Sequence, residues 1–354
     1  MVRKSPARRL ALFGAIGLVA LAAGHTWLWR TTAGELENGW KAWIALRRAQ
    51  GWQVEHASPV RGGWPRSATL SMDRVRLEGG AATLPGGVAL FAERVVLRVT
   101  PPRLDLLRVE LPGQQRLRIG GTEYPFTADS LVAVVPLDSG APPASAEVTA
   151  ERLRVGTPAG GVAVRAARLM VEGSASATEA EPALALTLDA EELDLPAAPN
   201  APLGGAFGPR VEAVSAELSV SGPLPPGRVP AARAAAWRDG GGTLELRALT
   251  LRWGPVRAEA AATLAFDEAL QPMGAGTLRV AGAASALDAL TEAGLVGRRA
   301  AATARAVLPL LSRPSADTGL PEIEVPLTLE DRTLALARIP VLRLEPLAWP
   351  TASR

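Results

Sequence analysis

The sequence predicts a mainly β fold, a β-rich α+β protein: a long, curved antiparallel meander of sheet with a few short helices, preceded by one N-terminal transmembrane helix. Three observations carry this. Apolar residues recur at every second position through most of the chain, 30 prolines and 35 glycines punctuate its 354 residues, and one near-continuous apolar run lies close to the N-terminus between basic residues. Alternation with period two is the pattern of half-buried strands, Gly and Pro mark the turns between them, and a long apolar run reads as a span.

The span comes first. Residues 10–29 (LALFGAIGLVALAAGHTWLW) are nearly all apolar, and at 1.5 Å per residue about 20 of them cross a hydrocarbon core of roughly 30 Å. Leu10 and Leu18 belong to its apolar body, and Trp27 and Trp29 to the interfacial belt at its end. Arg3, Lys4, Arg8 and Arg9 precede it, which leaves residues 1–9 in the cytoplasm and everything after Trp29 outside. A cleaved signal peptide is the competing reading, Ala20-Leu21-Ala22 being a small-x-small site. Continuation of the run past that site favours retention.

A neck follows over residues 31–51. Leu36, Trp40, Trp43, Ile44 and Leu46 fall at helical spacing, with Glu35, Lys41, Arg47 and Arg48 between them. Such a helix packs its apolar stripe on the β-domain or lies flat on a membrane surface.

From residue 62 the period becomes two. Leu70 and Met72, Val75 and Leu77, Val95, Leu97 and Val99, Leu107, Val109 and Leu111, Leu184, Leu186 and Leu188 recur at every second position, with polar residues such as Arg76, Arg98, Arg108, Glu110 and Thr187 between most of them. One dry and one wet face per strand is the habit of antiparallel sheet. In the stretch 244–253 the apolar phase slips at Ala248-Leu249, which within one strand demands a bulge. A loose repeat, Ala-x-x-Leu/Val, begins at Ala92, Ala128, Ala150, Ala166 and Ala190. Its uneven spacing excludes a strict solenoid and suits hairpins with loops of different length. Helices are expected at residues 231–238, 285–293 and 300–311. The Pro- and Gly-rich segments 197–209 and 222–230 divide the β-body into halves, 52–222 and 223–354.

Charge and composition narrow the function. A pI near 10.1 suggests nucleic acid, but five of the 38 basic residues (Arg3, Lys4, Arg8, Arg9, Arg30) flank the span, which leaves 33 against 35 acidic ones. The remainder are scattered singly, so nucleic acid is not an expected partner. With no cysteine, disulfides and thiolate metal sites are out of reach. Asp138-Ser139-Gly140 and Asp317-Thr318-Gly319 look like paired acid-protease loops, yet Pro- and Ala-rich flanks replace the apolar strands such loops need, and both triplets are ordinary turn formers. His25 and His56 stand apart from any catalytic partner. The expectation is a non-enzyme with no catalytic residue, cofactor or metal.

Gly51-Trp52, Gly62-Gly63-Trp64-Pro65, Trp237-Arg238-Asp239-Gly240-Gly241, Leu251-Arg252-Trp253-Gly254-Pro255, Gln271-Pro272-Met273-Gly274-Ala275-Gly276 and Trp349-Pro350 together resemble the proteobacterial "domain of unknown function" family numbered 2125. The strand repeats behind an anchor are more distantly similar to AsmA-like envelope proteins, which are associated with lipid transport and outer-membrane assembly. The resemblance implies a single-pass protein of the bacterial inner membrane with its bulk in the periplasm; it transfers no activity. The motifs themselves read as architecture, a large ring beside a turn.

Two functions remain open. An aliphatic face carrying Leu97, Val109, Leu186, Leu246, Leu251 and Leu264 would hold lipid acyl chains, with inner-membrane lipids as partners. The same side chains would otherwise close as an ordinary core, leaving an assembly scaffold whose partners are envelope proteins.

Overall fold

The computed structural model describes residues 6–80, 87–137, 144–174, 176–179, 181–196, 202–227, 229–314 and 321–349. The two acid-protease-like triplets and Pro350 lie outside them. Among the described residues the chain runs through α1 (Pro6–Ala49), β1 (Gln53–Glu55), β2 (Val60–Gly62), β3 (Ala68–Gly79), β4 (Val88–Thr100), β5 (Arg103–Glu110), β6 (Gln114–Ile119), β7 (Thr122–Thr127), β8 (Ser130–Pro136), β9 (Ser145–Thr157), β10 (Gly160–Gly173) and β11 (Pro182–Asp194). Then come α2 (Pro202–Phe207), β12 (Arg210–Ser221), α3 (Pro230–Asp239), β13 (Leu244–Trp253), β14 (Val256–Phe266), β15 (Pro272–Ala281), α4 (Ala283–Glu292), α5 (Arg298–Leu311), β16 (Ser312–Pro314), β17 (Pro321–Glu330), β18 (Thr333–Leu336) and β19 (Ile339–Arg343).

All the strands join one antiparallel sheet. Strands β9 through β14 each pair with the strand before and the strand after in sequence, the plain meander that alternating hairpins produce, and β15 pairs with β14 and with β17. The expected boundary at residues 222–230 does not interrupt it: Val214 of β12 faces Leu251 of β13, so the two halves are halves of one sheet. Near the N-terminus the order is less regular. β4 carries both β5 and β6 end to end, β5 then pairs with β8, and β7 and β8 both lean on β9.

Span and neck form a single helix. Its second half presents Ala33, Leu36, Trp40 and Ile44, spaced by three and four, to Leu70, Met72 and Val75 of β3 and to Ala92, Val95, Leu97 and Val99 of β4, all buried. In its first half, among the side chains described, Leu12, Phe13, Ile16, Leu18, Val19 and Leu21 are exposed. One N-terminal helix is therefore long and apolar enough to cross a membrane.

β3 and β4 explain how long strands keep one side dry. In β3 burial falls at Leu70 and Met72, then resumes at Val75, three residues on instead of two. Arg74 between them has φ 50°, left-handed backbone that re-aims the following residues. β4 slips in step, from Ala92 to Val95, and the exposed Asp73 and Arg94 pair at 2.6 Å across the slip. The same backbone recurs at Arg152 (φ 48°) and Glu192 (φ 48°), each the third residue of an Ala-x-x-Leu repeat. The bulge expected in β13 is present as well: Glu217 and Leu218 of β12 face Ala248 and Leu246, leaving Arg247 over.

Helices appear at the three expected places as α3, α4 and α5. α2 was not expected. Its sequence PLGGAF has two glycines and no apolar period, and it is held by its neighbours, with Trp253 edge-on to Phe207 at 5.4 Å and donating through Nε1 to Gly208 O at 2.9 Å.

Candidate functional site

Register turns separate apolar positions into a continuous surface. Leu70 faces Leu97, Leu97 faces Val109, and the line continues through Ala133, Val148, Leu169, Leu188, Ala216, Leu249, Ala260 and Leu278 to Val325. Every step is a direct cross-strand pair, so one aliphatic row crosses twelve strands, about 50 Å at strand spacings of roughly 4.8 Å. On the opposite face a polar row runs beside it: Thr149, Arg168, Asp189, Ser215, Thr250, Glu259, Arg279 and Glu324. Ser215 Oγ donates to Asp189 at 2.8 Å, and Arg279 pairs with Glu324 at 3.0 Å.

All six residues expected on an apolar ligand face lie on this side of the sheet. Leu97 and Val109 belong to the long row; Leu186 and Leu246 lie one step along their strands, each facing Leu218; Leu251 faces Ala258 and Leu264 faces Leu244. Their surroundings differ. Leu97 is buried under α1 with Val109 packed against the same cluster, so these two are core residues. At the other end Trp237 of α3 meets Phe266, two residues past Leu264, edge-on at 5.7 Å. Between the ends Leu186, Leu246, Leu251 and Leu264 are half-buried, and Leu188 is 37% exposed.

Several carboxylates are engaged in ion pairs with arginines. Arg76 beside Glu78, Arg103 beside Asp105 and Arg210 beside Asp194 hold those carboxyls below the usual carboxylate range. That is the condition of groups that stay ionised rather than of proton donors. His56 is half-buried, its Nδ1 2.7 Å from Ala57 O and its ring edge-on to Trp40 at 5.5 Å. His25 Nε2 hydrogen-bonds Pro65 O. Of the anchor residues, Leu10 and Leu18 lie in the first half of α1 and Trp27 is exposed. Trp29 instead turns to the domain and donates to Gly62 O at 3.1 Å.

The tryptophan motifs converge on fixed corners. Trp237 donates to Ser221 O at 2.9 Å, Trp349 to Leu270 O at 3.0 Å, and Phe266 lies edge-on between the two rings. Gln271 clasps the C-terminal segment with both ends of its amide, accepting from Leu347 N at 2.7 Å and donating to Leu347 O at 3.2 Å. Motifs over a hundred residues apart thus lock one corner of the sheet. The middle of the aliphatic row, Val148, Leu169, Leu188 and Ala216, was missed in the sequence; Leu188 stood in an alternating run, but only register shows that it continues the line from Leu97.

A family described as "Uncharacterized protein conserved in bacteria (DUF2125)" matches residues 29–345. No curated protein and no solved structure matches the chain.

Proposed function

Because the chain belongs to this family of uncharacterized bacterial proteins and carries a helix able to cross a membrane, we propose that it is a non-catalytic, single-pass inner-membrane protein. Its sheet holds the acyl chains of a lipid, or an apolar ligand of that kind. The basic residues before the span favour a cytoplasmic N-terminus and a periplasmic sheet. The observation that carries the reading is the aliphatic row, which is roofed at the α1 end and leaves Leu188 exposed at its middle. Along β11 the apolar positions 184–190 extend for about 20 Å, a lipid-sized strip. On the same proposal the anchored, strand-rich plan is of the AsmA-like kind.

The test is site-specific photo-crosslinking of the full chain in its native envelope, with a photoreactive residue at 188 on the dry face or at 250 on the wet one. Lipid adducts at 188 and none at 250 are expected. Equal labelling, or none at 188, would overturn the proposal.

One observation favours a second reading. Among the described residues β19 pairs on one side only, with β18, and all five of its residues are exposed, among them Ile339, Val341 and Leu342. An apolar, two-sidedly exposed edge is a template for another chain, and on this reading the protein is an assembly scaffold that takes a strand from an envelope partner.

A further inference from the structure

The end of the span and the β-domain are joined side by side as well as through the chain. His25 and Trp29, one helical turn apart, bond the end of β2 and the loop that follows it: His25 Nε2 to Pro65 O, and Trp29 Nε1 to Gly62 O at 3.1 Å. Pro101, in the turn between β4 and β5, lies against the same stretch and lines a small cavity with His25, Leu28, Trp29 and Thr32. Both loops are thus held at the level of the last turn and a half of the apolar run 10–29. That run ends where the hydrocarbon core gives way to headgroups.

The outward side chains at this level suit that layer. Trp64, next to the bonded Pro65, is 57% exposed, and Trp27, within about 3 Å of His25 and of Trp29 along the helix axis, is 68% exposed. Val60, at the start of β2, and Leu104, three residues past Pro101, are exposed, and so are Arg30 and Arg66. Exposed tryptophans with arginines at one depth form the belt that membrane proteins place at the interface. From here α1 continues to residue 49 while β3 runs alongside from 68 to 79; at 1.5 and about 3.3 Å per residue both cover roughly 36 Å. The strands under α1 therefore start at the loops and lead away from them.

We propose that the 60–66 loop and the 101–104 turn are a second membrane contact, which inserts Trp64 and Leu104 into the headgroup layer of the leaflet on the domain's side. The sheet is then seated on the bilayer with its strand ends down, in place of hanging from a tether. The proposal rests on the reading of α1 as a span.

The chain lacks cysteine, so single-cysteine variants can report depth. Full-length Trp64→Cys, Leu104→Cys, Ile16→Cys and Ser215→Cys, each carrying an environment-sensitive fluorophore, are reconstituted into phosphatidylcholine–phosphatidylglycerol vesicles and quenched with brominated lipids or with aqueous iodide. The seat predicts lipid quenching at 64 and 104 from bromines near the headgroup, quenching at 16 from deep bromines, and iodide quenching alone at 215. Iodide quenching at 64 and 104 equal to that at 215, with 16 still quenched by lipid, overturns the seat and keeps the span. Loss of lipid quenching at 16 removes the span and the seat together. Leu104→Cys carries the test if Trp64→Cys fails to fold.

Discussion

Tryptophan acts here as a staple between a ring and a backbone carbonyl. Trp237 shows the device most fully: its Nε1 donates to Ser221 O, and Gly242 lies against its ring so closely that a Cβ there would overlap the indole. Gly242→Ala is expected to cost about 1–3 kcal/mol through overpacking, and Trp237→Phe about 1 kcal/mol through the lost hydrogen bond, both read from urea midpoints. Gly63 is constrained twice over, by φ 88° and by Ser67 O, 2.6 Å from where its Cβ would stand; Gly63→Ala should displace Trp64 as well as destabilise. The ion pairs set the response to acid. Asp194 has its folded pKa depressed by Arg210, so its contribution is present above the unfolded carboxylate pKa near 4 and is lost as pH falls through the folded value. Arg210→Gln should flatten that acid loss, measured as the difference in midpoint between pH 6 and pH 3; an unchanged difference would assign the loss to other groups. At this scale the sequence was readable in kind: each tryptophan beside a Gly turn pointed to architecture, but the carbonyls that Trp237, Trp253 and Trp349 reach lie 16, 45 and 79 residues away.

Strands were legible wherever alternation was unbroken, and less so where it slipped. Leu70 and Met72 look separate from Val75 and Leu77 in the sequence, yet both pairs lie in β3, because a left-handed residue can shift the phase without ending a strand. Period alone does not tell a slip from a turn. In β13 the slip could be foreseen because no turn-forming residue lay at Arg247-Ala248. The helix-on-sheet core under α1 is the most tightly built element: Leu70 is fully buried, and Leu70→Ala should cost about 2–5 kcal/mol, whereas Leu188→Ala, at an exposed site, should cost far less. Equal losses would mean that the middle of the row is sealed in solution. β19 makes the opposite prediction. Val341→Lys, at an exposed edge, should change stability by no more than about 0.5 kcal/mol yet shrink any complex seen by sedimentation velocity of the detergent-solubilised chain; an unchanged size counts against docking at that edge.

For the whole molecule, the decisive feature is one that no single segment carries. Each strand offers the long row one aliphatic residue, and cross-strand register joins twelve of them into a surface from Leu70 to Val325. The fold class could be read from period and punctuation, and so could the side on which Leu97, Val109, Leu186, Leu246, Leu251 and Leu264 lie. Which of them α1 would roof could not, because the two ends of the row are distinguished only by what packs on them.

The meander also bears on how the chain reaches its native state. From β9 to β15 every strand finds its partner in the strand just before it, so each closing loop is short and its entropy cost modest. As the polypeptide emerges N-terminus first, the sheet can lengthen one hairpin at a time from the platform that α1, β3 and β4 provide, with no strand left waiting for a distant mate. Two places are exceptions: β5 must hold its edge for β8 while the β6–β7 hairpin forms, and β15 must hold its edge for β17 while α4 and α5 are made; such pauses leave a growing chain open to mispairing.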